Sequence, residues 1–476
     1  MAKPMKVATA LPQRWGESWL VGAGAEIFWS QLKQFQAQFQ AHFHPANPQD
    51  ILLAEVAPVR FLAAFLAACQ VPGRVWLANP HWGLGEWQQV AAQCEPDLVI
   101  GFVPEGLWDS LGDRGQRPEI AFPKNDATQI LIPTGGSSGD IRFAVHTWET
   151  LTAAVQGFQQ HFHCDRVNAY CVLPLYHVSG LMQALRCLLS GGQLVIQPWR
   201  SLLQEGAIEM PSHDRFLSLV PTQLQRLLNA EQDFVPWLRS FTAILLGGAP
   251  AKATLLQTAR ELRLPLAPTY GMTETAAQVA TLLPQEFLAG LSNSGRALPH
   301  AQITICDDGG KALLPGQTGR IFLEATSLAW GYGKTAFAQP FQSGDLGYLD
   351  EAGYLYVVGR AGNLILTGGE KVLPAEVEAA IIQTGLVKDA VVLGIPDETW
   401  GEQVVAVIVP RHEGWERDRL IATLKPQLSA YKLPKQWLSR PALPYSLQGK
   451  LNRTELRQWV IQTLASTGPT ILSALG

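Results

Sequence analysis

The feature that most constrains the fold of this chain is an apolar run that ends in a loop of glycine and hydroxyl residues. Residues 130–132 are Ile-Leu-Ile, and residues 134–139 are Thr-Gly-Gly-Ser-Ser-Gly. Glycine lets backbone N–H groups crowd around an anion, and the hydroxyls add further donors. Residues 140–147 then alternate apolar and polar side chains, which predicts a second strand. The segment therefore favours a strand–loop–strand hairpin that closes over phosphate groups.

Two other motifs and one plain turn compete with this interpretation. A P-loop NTPase requires a Lys-Ser or Lys-Thr pair after its last glycine, and no such pair follows Gly139. Residues 135–139 also match G-x-S-x-G, the nucleophile elbow of α/β-hydrolases, with Ser137 as the nucleophile. That motif requires a helix directly after the serine, where the pattern predicts a strand. A surface hairpin that binds nothing is the third alternative.

Length and charge limit the class of protein. The chain has 476 residues, which is too many for one core, so we expect two or three domains. Apolar residues make up 47% of the chain and charged residues 16%, as in a well-packed globular enzyme. The formal net charge of −4 gives no electrostatic basis for binding nucleic acid or an anionic membrane.

The cysteines and the apolar runs bear on the compartment. The six cysteines lack C-x-x-C spacing, which argues against a zinc site and a disulfide framework and favours a reducing compartment. No apolar run approaches the roughly 20 residues of a membrane span, and the N-terminal residues lack the apolar core of a secretory signal. We therefore predict a soluble, cytoplasmic protein whose oligomeric state stays open, a homo-oligomer included.

Helical and strand-like patterns alternate over the first half of the chain, as in α/β proteins. The pattern predicts helices over 26–44, 61–69, 148–162, 179–189 and 222–229, and strands over 169–173, 193–197 and 243–246. From about residue 292 to 359, short strands and turns predict a small β-rich subdomain. Helix and strand patterns return after Arg360, where we place a domain boundary.

Four further motifs follow the glycine loop in order along the chain. They are residues 268–275 (Pro-Thr-Tyr-Gly-Met-Thr-Glu-Thr), 343–348 (Ser-Gly-Asp-Leu-Gly-Tyr), 366–378 (Leu-Thr-Gly-Gly-Glu-Lys-Val-Leu-Pro-Ala-Glu-Val-Glu) and 444–453 (Pro-Tyr-Ser-Leu-Gln-Gly-Lys-Leu-Asn-Arg). Taken singly, Gly-Gly and Gly-Asp pairs are ordinary turn residues. Taken together and in this order, the five motifs resemble those of the acyl-adenylate-forming enzymes, which include acyl-CoA synthetases, adenylation domains and luciferases.

The resemblance implies an α/β N-terminal domain over residues 1–360, a small mobile α+β C-terminal domain over 361–476, and the use of ATP, Mg²⁺ and coenzyme A. It implies that Thr273 binds the α-phosphate, that Glu274 ligates Mg²⁺, and that Arg142 stands where the family usually has a lysine. It further assigns to nucleotide binding the residues Thr134, Gly135, Gly136, Ser137, Ser138, Gly139, Gly247, Gly248, Ala249, Tyr270, Gly271, Asp345 and Arg360. A carboxylate attacking a phosphate brings two anions together, so charge neutralisation and positioning lower the barrier.

The last motif matches the C-terminal catalytic lysine of the family at Lys450. By this resemblance Lys450 bridges the carboxylate and the α-phosphate during adenylation. In the coenzyme A ligases the small domain then rotates, Lys450 leaves, and the Gly368–Gly369 face forms the tunnel for the thiol. Gly362 stands at a hinge position where the family often has a polar residue, and glycine permits a wider range of backbone angles there.

Two segments of the sequence bear on the identity of the acid substrate. Residues 172–181 (Val-Leu-Pro-Leu-Tyr-His-Val-Ser-Gly-Leu), together with 270–278, resemble the 2-succinylbenzoate–CoA ligases of menaquinone and phylloquinone synthesis. The candidates for the end of the substrate slot that receives the second carboxylate are His177, Ser179 and Thr222. His177, at a position that lies by the acyl site in this family, is also a catalytic candidate. Other aryl or medium-chain fatty acids, an amino-acid adenylation domain, an ATP-independent Ser137 esterase and a scaffold without catalysis remain alternatives.

Overall fold

The computed structural model of the chain describes residues 14, 16–22, 24–42, 49–108, 128–135, 140–210, 214–333, 335–412, 414–415, 417–445 and 451–467. The chain divides into two compact units. The larger unit comprises Met1–Thr304, Phe322–Phe341 and Asp350–Leu355, and the smaller unit comprises Ile305–Ile321, Gln342–Leu349 and Tyr356–Gly476. No helix within the described ranges combines the length and the apolar character that crossing a membrane requires.

Strands and helices alternate through most of the chain. The strands, in chain order, are β1 (Leu20–Val21), β2 (Gln49–Ala54), β3 (Gly73–Leu77), β4 (Leu98–Gly101), β5 (Gln129–Gly135), β6 (Ile141–Thr147), β7 (Asn168–Cys171), β8 (Leu194–Ile196), β9 (Arg215–Leu219), β10 (Ala243–Leu246), β11 (Leu266–Met272), β12 (Ala277–Thr281), β13 (Arg296–Ala297), β14 (Ala301–Cys306), β15 (Gly319–Ala325), β16 (Gly331–Tyr332), β17 (Thr335–Ala336), β18 (Phe341–Leu349), β19 (Leu355–Arg360), β20 (Ile365–Thr367), β21 (Glu370–Val372), β22 (Val387–Asp397), β23 (Gly401–Pro410) and β24 (Gln436–Ser439). The helices are α1 (Phe28–His42), α2 (Pro58–Ala68), α3 (Leu84–Ala91), α4 (Trp148–Phe162), α5 (Val178–Ser190), α6 (Trp199–Glu205), α7 (Pro221–Leu228), α8 (Val235–Arg239), α9 (Ala253–Glu261), α10 (Pro284–Leu288), α11 (Pro374–Gln383), α12 (Arg417–Leu424) and α13 (Arg453–Thr467), with 3-10 turns at Ala25–Ile27, Thr273–Thr275 and Ala361–Asn363. The helices predicted from periodicity correspond to α1, α2, α4, α5 and α7.

An eight-stranded sheet forms the part of the larger unit that matters most for function. Its order is β1-β8-β7-β9-β10-β11-β12-β13. The pairs from β1 to β11 are parallel, and β11–β12 and β12–β13 are antiparallel. Every residue of β10 is buried, as expected for a parallel strand covered on both faces. Because neighbouring parallel strands point the same way, the carboxyl ends of β7, β9, β10 and β11 lie along one edge.

A seven-stranded sheet, in the order β17-β16-β6-β5-β3-β2-β4, is also part of the larger unit. Strands β5, β3, β2 and β4 are parallel, whereas β6 returns antiparallel to β5. Helix α2 is buried along almost its whole length. This explains why its apolar run lacks a polar face, and the helix predicted over 61–69 is confirmed.

The remaining strands form two smaller sheets. A four-stranded sheet has the order β14-β15-β18-β19, and the smaller unit contains the order β21-β20-β23-β22, with β24 also paired to β23. Side chains of β23 alternate between two cores: Val404 and Ala406 pack with α11 and α12, whereas Val405 and Val407 pack with α13. Since successive residues of a strand point to opposite faces, helices cover this sheet on both sides. The predicted α/β class and the small α+β C-terminal domain are confirmed.

Candidate active site

The glycine loop joins two antiparallel strands of the larger unit. The register pairs Thr134 with Arg142 and Gly135 with Ile141, so the predicted hairpin is confirmed. The other loop residues lie outside the described residues; they are Gly136, Ser137, Ser138 and Gly139. Because a strand and not a helix follows the loop, the nucleophile elbow that the esterase alternative requires is wrong.

Thr273 and Glu274 lie in a short 3-10 turn between β11 and β12. The hydroxyl of Thr275 closes the turn, because it accepts from the N–H of Met272 at 3.1 Å and donates to the carbonyl of Ala277 at 2.7 Å. Glu274 is only 7% exposed. A buried carboxylate requires hydrogen-bond donors or a cation nearby, so this turn presents an anion suited to binding a cation.

The chemistry of this turn fits Mg²⁺. Within the described part of the chain, no three His, Cys, Asp or Glu side chains group closely enough to hold a metal ion. Mg²⁺ is commonly bound by one or two carboxylates together with substrate phosphates and water. Glu274 alone therefore suffices on the protein side if a nucleotide supplies the remaining oxygens.

His146 of β6 joins the phosphate hairpin to this turn. Its Nε2 lies 2.8 Å from the carbonyl oxygen of Thr273, and its Nδ1 lies 3.0 Å from the hydroxyl of Thr150. A carbonyl only accepts, so Nε2 carries the hydrogen and Nδ1 is the acceptor. Burial lowers the pKa of His146 to about 4, so the ring is neutral at physiological pH. Strand β6 and the Glu274 turn thus belong to one hydrogen-bonded unit.

A segment from Ser327 to Tyr332 connects the same two elements a second time. The N–H of Ala329 donates to the carbonyl of Glu274 at 2.7 Å, and the N–H of Trp330 donates to the carbonyl of Val145 at 2.8 Å. The Tyr332 hydroxyl donates to Oε1 of Glu274. The guanidinium of Arg142 lies over the ring of Tyr332, and the guanidinium carbon is 4.6 Å from the ring centroid.

Other predicted residues of the larger unit lie at the carboxyl edge of the eight-stranded sheet. His177 and Ser179 follow β7, Thr222 follows β9, and the turn 247–249 follows β10. Tyr270 belongs to β11, which is parallel to β10. Since β7, β9, β10 and β11 are neighbours, these segments emerge side by side, as ligand-binding loops do in α/β sheets.

The turn after β10 requires glycine. A Cβ at Gly247 would lie 2.5 Å from the hydroxyl oxygen of Thr269, and Gly248 has a φ of 80°. A side chain is therefore excluded at the first position and strained at the second. The backbone of the turn is left open beside β11, where Tyr270 is 8% exposed.

Arg186 is a buried cation that sequence reasoning missed. It lies on α5, two helical turns beyond Ser179, and is 3% exposed. Its Nη2 donates to Oε1 of Gln278 at 2.6 Å, and its guanidinium carbon lies 4.3 Å from the ring centroid of Phe158. Its Nε has no hydrogen-bond partner among the residues that the structure describes. Burial lowers the pKa of Arg186 to about 10, which still leaves it charged.

Asp345 and Arg360 form an ion pair in the smaller unit. Arg360 Nε lies 2.9 Å from Asp345 Oδ1, and Arg360 Nη1 donates to the carbonyl of Ser343 at 3.3 Å. The N–H of Asp345 donates to the hydroxyl of Ser343 at 3.1 Å. With Asp345 only 7% exposed, its carboxylate is fixed in one orientation. Such a carboxylate can accept hydrogen bonds from neighbouring hydroxyl groups of a ligand.

The Gly368–Gly369 turn lies against Trp400. The N–H of Gly368 donates to the carbonyl of Trp400 at 2.8 Å, and a Cβ at Gly368 would lie 2.9 Å from the indole ring. The indole is 45% exposed, and the ammonium of Lys435 lies 5.0 Å from its centroid. Gly362 belongs to the 3-10 turn that follows Arg360.

Lys450 lies outside the described residues. The residues on either side of that gap are described. Tyr445 and Leu451 form an antiparallel bridge, and the N–H of Asn452 donates to the carbonyl of Pro444 at 2.8 Å. The role of Lys450 therefore stays a prediction.

Four residues of interest were not predicted: His146, Arg186, Tyr332 and Trp400. An arginine inside the apolar run of α5 is a signal that could have been noticed, because a buried charge needs a partner or a ligand. The other three carry no such signal, since an isolated aromatic residue or histidine is most often an ordinary structural residue.

Comparison with known proteins gives the same class of enzyme. Residues 48–333 match the AMP-binding enzyme family, and residues 376–450 match the AMP-binding enzyme C-terminal domain. A 2-succinylbenzoate–CoA ligase of Geobacillus kaustophilus is 34% identical over 399 residues, which is 80% of each chain. A 2-succinylbenzoate–CoA ligase of Listeria monocytogenes is 33% identical over 344 residues, which is 70% of each chain.

Solved structures share the fold. The o-succinylbenzoate CoA synthetase of Bacillus subtilis, in complex with its acyl-adenylate intermediate, superposes with a TM-score of 0.79. The two sequences are 24% identical, and the match covers 96% of this chain and 98% of the Bacillus chain. At this identity the likeness establishes the fold, and the residues of this chain must carry the assignment of function.

Proposed function

Because this chain belongs to the AMP-binding enzyme family, we propose that it ligates 2-succinylbenzoate to coenzyme A through an acyl-adenylate, in menaquinone or phylloquinone biosynthesis. One observation carries the assignment in this structure: the hydrogen bond from His146 to the carbonyl of Thr273. It joins β6, the strand that follows the loop suited to phosphate groups, to the turn that presents a buried carboxylate. Such a pair of elements is what a magnesium–nucleotide complex requires.

In the first half-reaction, a carboxylate oxygen of the acid attacks the α-phosphorus of ATP, and pyrophosphate leaves. We assign the binding of the β- and γ-phosphates to Thr134 and the rest of the loop, and that of the α-phosphate to the Thr273 hydroxyl. Arg142 adds positive charge at the base of the loop, and Lys450 is assigned to the attacking carboxylate. Glu274 would hold Mg²⁺, which neutralises phosphate charge when bound.

We assign recognition of the nucleoside to two groups of residues. Asp345, held by Arg360, would accept hydrogen bonds from the ribose hydroxyls. The open backbone of the turn 247–249 and the ring of Tyr270 would receive the adenine. These assignments use backbone and side chains that the contacts above already hold in place, so little ordering is needed on binding.

In the second half-reaction, the sulfur of coenzyme A attacks the carbonyl carbon of the acyl-adenylate, the thioester forms, and AMP leaves. We assign this step to the Gly368–Gly369 turn, with 1–360 and 361–476 as the two domains. The exposed indole of Trp400 and the ammonium of Lys435 beside this turn suit an adenine ring and a phosphate group.

The second carboxylate of 2-succinylbenzoate favours this acid over a fatty acid. The buried Nε of Arg186 finds no hydrogen-bond partner among the described residues, which is an unfavourable arrangement unless an anion completes it. His177, Ser179 and Thr222 are assigned to the rim of the same slot. A monocarboxylic fatty acid would leave this buried cation without a counter-charge.

The direct test measures release of AMP with the purified protein, ATP, Mg²⁺ and coenzyme A. We expect rapid release with 2-succinylbenzoate and much slower release with benzoate or medium-chain fatty acids. Faster turnover of one of those acids would overturn the substrate assignment. Absence of AMP release with every organic acid would overturn the ligase assignment. We also propose that the reaction takes place in the cytoplasm.

A further inference from the structure

We propose that Tyr332 is a positioning residue that holds Glu274 ready to ligate the magnesium ion of ATP, an inference that rests on the proposed function. The phenol hydroxyl donates to Oε1 of Glu274. The backbone of Tyr332 pairs with Ala144 of β6, in the strand that also carries Arg142 and His146. The tyrosine thus joins the metal carboxylate to the phosphate hairpin.

A neutral donor suits this role better than a cation. Glu274 is only 7% exposed, so its carboxylate requires a hydrogen bond that holds it in one orientation. A lysine or arginine in direct contact would neutralise the carboxylate and compete with Mg²⁺. The hydroxyl of Tyr332 fixes one carboxylate oxygen without adding charge, which leaves the other oxygen for the metal.

Arg142 influences Glu274 through the ring of Tyr332 and not by direct contact with the Glu274 carboxylate. Its guanidinium carbon lies 4.6 Å from the centroid of Tyr332, and the ring of Phe337 packs edge-on at 4.8 Å. A cation over the face of a phenol draws electron density from the ring and strengthens its O–H as a donor. The arginine that follows the glycine loop therefore acts on the metal carboxylate through Tyr332.

The test measures metal binding with Mn²⁺ as the probe. Mn²⁺ is titrated into the protein with α,β-methylene-ATP, and free Mn²⁺ is followed by electron paramagnetic resonance. Tyr332→Phe keeps the ring under Arg142 and removes the donor. We expect it to weaken Mn²⁺ binding roughly 10- to 100-fold, as loss of a hydrogen-bond partner of a metal ligand does. Glu274→Gln should weaken it at least as much.

Tyr354→Phe is the matched control. The Tyr354 hydroxyl donates to Oε1 of Glu286 at 2.6 Å, so this variant removes another tyrosine–glutamate hydrogen bond from the larger unit. We expect it to bind Mn²⁺ as the unmodified protein does. An equal loss in both variants would show a general effect on the fold and would overturn the proposal.

Kinetics supply a second readout. In Tyr332→Phe, the Mg²⁺ concentration that gives half-maximal exchange of pyrophosphate into ATP should rise roughly 10-fold or more. The reaction of coenzyme A with supplied acyl-adenylate should be unchanged, because that step does not use the metal. Unchanged Mn²⁺ affinity in Tyr332→Phe would overturn the inference. The metal titration contains no acid, so its outcome is independent of the assigned substrate.

Discussion

His146 Nε2 lies 2.8 Å from the carbonyl oxygen of Thr273, although 127 residues separate the two in sequence. The bond requires the imidazole to donate from Nε2, and its Nδ1 lies 3.0 Å from the hydroxyl of Thr150. Burial supplies the neutral form by lowering the pKa.

The buried imidazole predicts an acid-dependent loss of stability. The pKa of His146 falls from 6.5 to about 4 on folding. Between these two pH values the unfolded chain therefore binds a proton at His146 and the folded chain does not. Stability contributed by His146 is therefore full above pH 6.5 and falls by about 3 kcal/mol as the pH drops to 4. Urea unfolding at a series of pH values measures this loss.

His146→Gln should show a smaller loss over the same interval, because an amide can donate to Thr273 but does not titrate. His163 is exposed, so His163→Gln should follow the unmodified protein. Parallel curves for all three proteins between pH 6.5 and 4 would contradict the assigned role of burial at His146.

Sequence patterns were sufficient for the elements whose periodicity reflects burial. The alternation over 140–147 predicted β6, and the apolar spacing over 148–162 predicted α4. The resemblance to a family assigned Gly247, and the structure gives a physical reason for a glycine there, because a Cβ would lie 2.5 Å from the hydroxyl oxygen of Thr269. In each case a local physical requirement determines the residue type.

Contacts that depend on tertiary structure left no such signal. Tyr332 donates to Glu274 across 58 residues of sequence, and Arg186 reaches Gln278 across 92. Neither pair has a fixed spacing, because the sheet order brings the partners together and the intervening length is free to vary. The resemblance to a family predicted Glu274 itself, yet gave nothing about the residues that orient it.

Removing the carboxylate of Asp345 should impair recognition of the ribose. Asp345→Ala is expected to raise the KM for ATP roughly 10- to 100-fold, because a hydrogen bond to a charged group contributes about 1.5–3 kcal/mol. The KM for 2′,3′-dideoxy-ATP, which lacks both hydroxyls, should hardly change. Steady-state kinetics with the two nucleotides measures the difference. An equal rise in the KM for both nucleotides would indicate that Asp345 only positions Arg360.

Removing the cation of Arg186 should affect a dicarboxylate more than a monocarboxylate. Arg186→Met keeps a similar apolar length, and we expect it to raise the KM for 2-succinylbenzoate roughly 10- to 100-fold by loss of a buried charged hydrogen bond. 4-Oxo-4-phenylbutanoate has the same succinyl chain without the ring carboxylate, so its KM should rise little. If both acids lose affinity equally, Arg186 contributes to the core and not to specificity.

Lys450→Ala should abolish adenylate formation and leave the attack of coenzyme A on supplied acyl-adenylate largely intact. The lysine is assigned to the step in which two anions meet, where a removed positive charge is most costly. Pyrophosphate exchange and thioester formation from the adenylate measure the two steps separately. Lys425→Ala, an exposed lysine of the same unit, is the control and should leave both unchanged. Equal loss of both half-reactions in Lys450→Ala would contradict a role confined to adenylation.

The two glycines of the 368–369 turn offer a paired test of the contact with Trp400. Gly368 has a φ of 58° and Gly369 a φ of 83°, so alanine is strained by about 1–2 kcal/mol at either position. At Gly368 the added methyl group meets the indole at 2.9 Å, whereas at Gly369 no atom of the described residues lies within 4 Å of it. Gly368→Ala should therefore lose about 1–3 kcal/mol more stability than Gly369→Ala, from overpacking.

The difference should also appear in thioester formation from supplied acyl-adenylate, with Gly368→Ala the slower variant. Combining Gly368→Ala with Trp400→Ala removes the ring that the methyl group meets. In the Trp400→Ala background, Gly368→Ala should then no longer lower the free energy of unfolding more than Gly369→Ala does. The effects of Gly368→Ala and Trp400→Ala would therefore not be additive, as is common for residues in contact. If the two alanine variants unfold alike and Trp400→Ala adds independently to each, the turn does not depend on its contact with the indole.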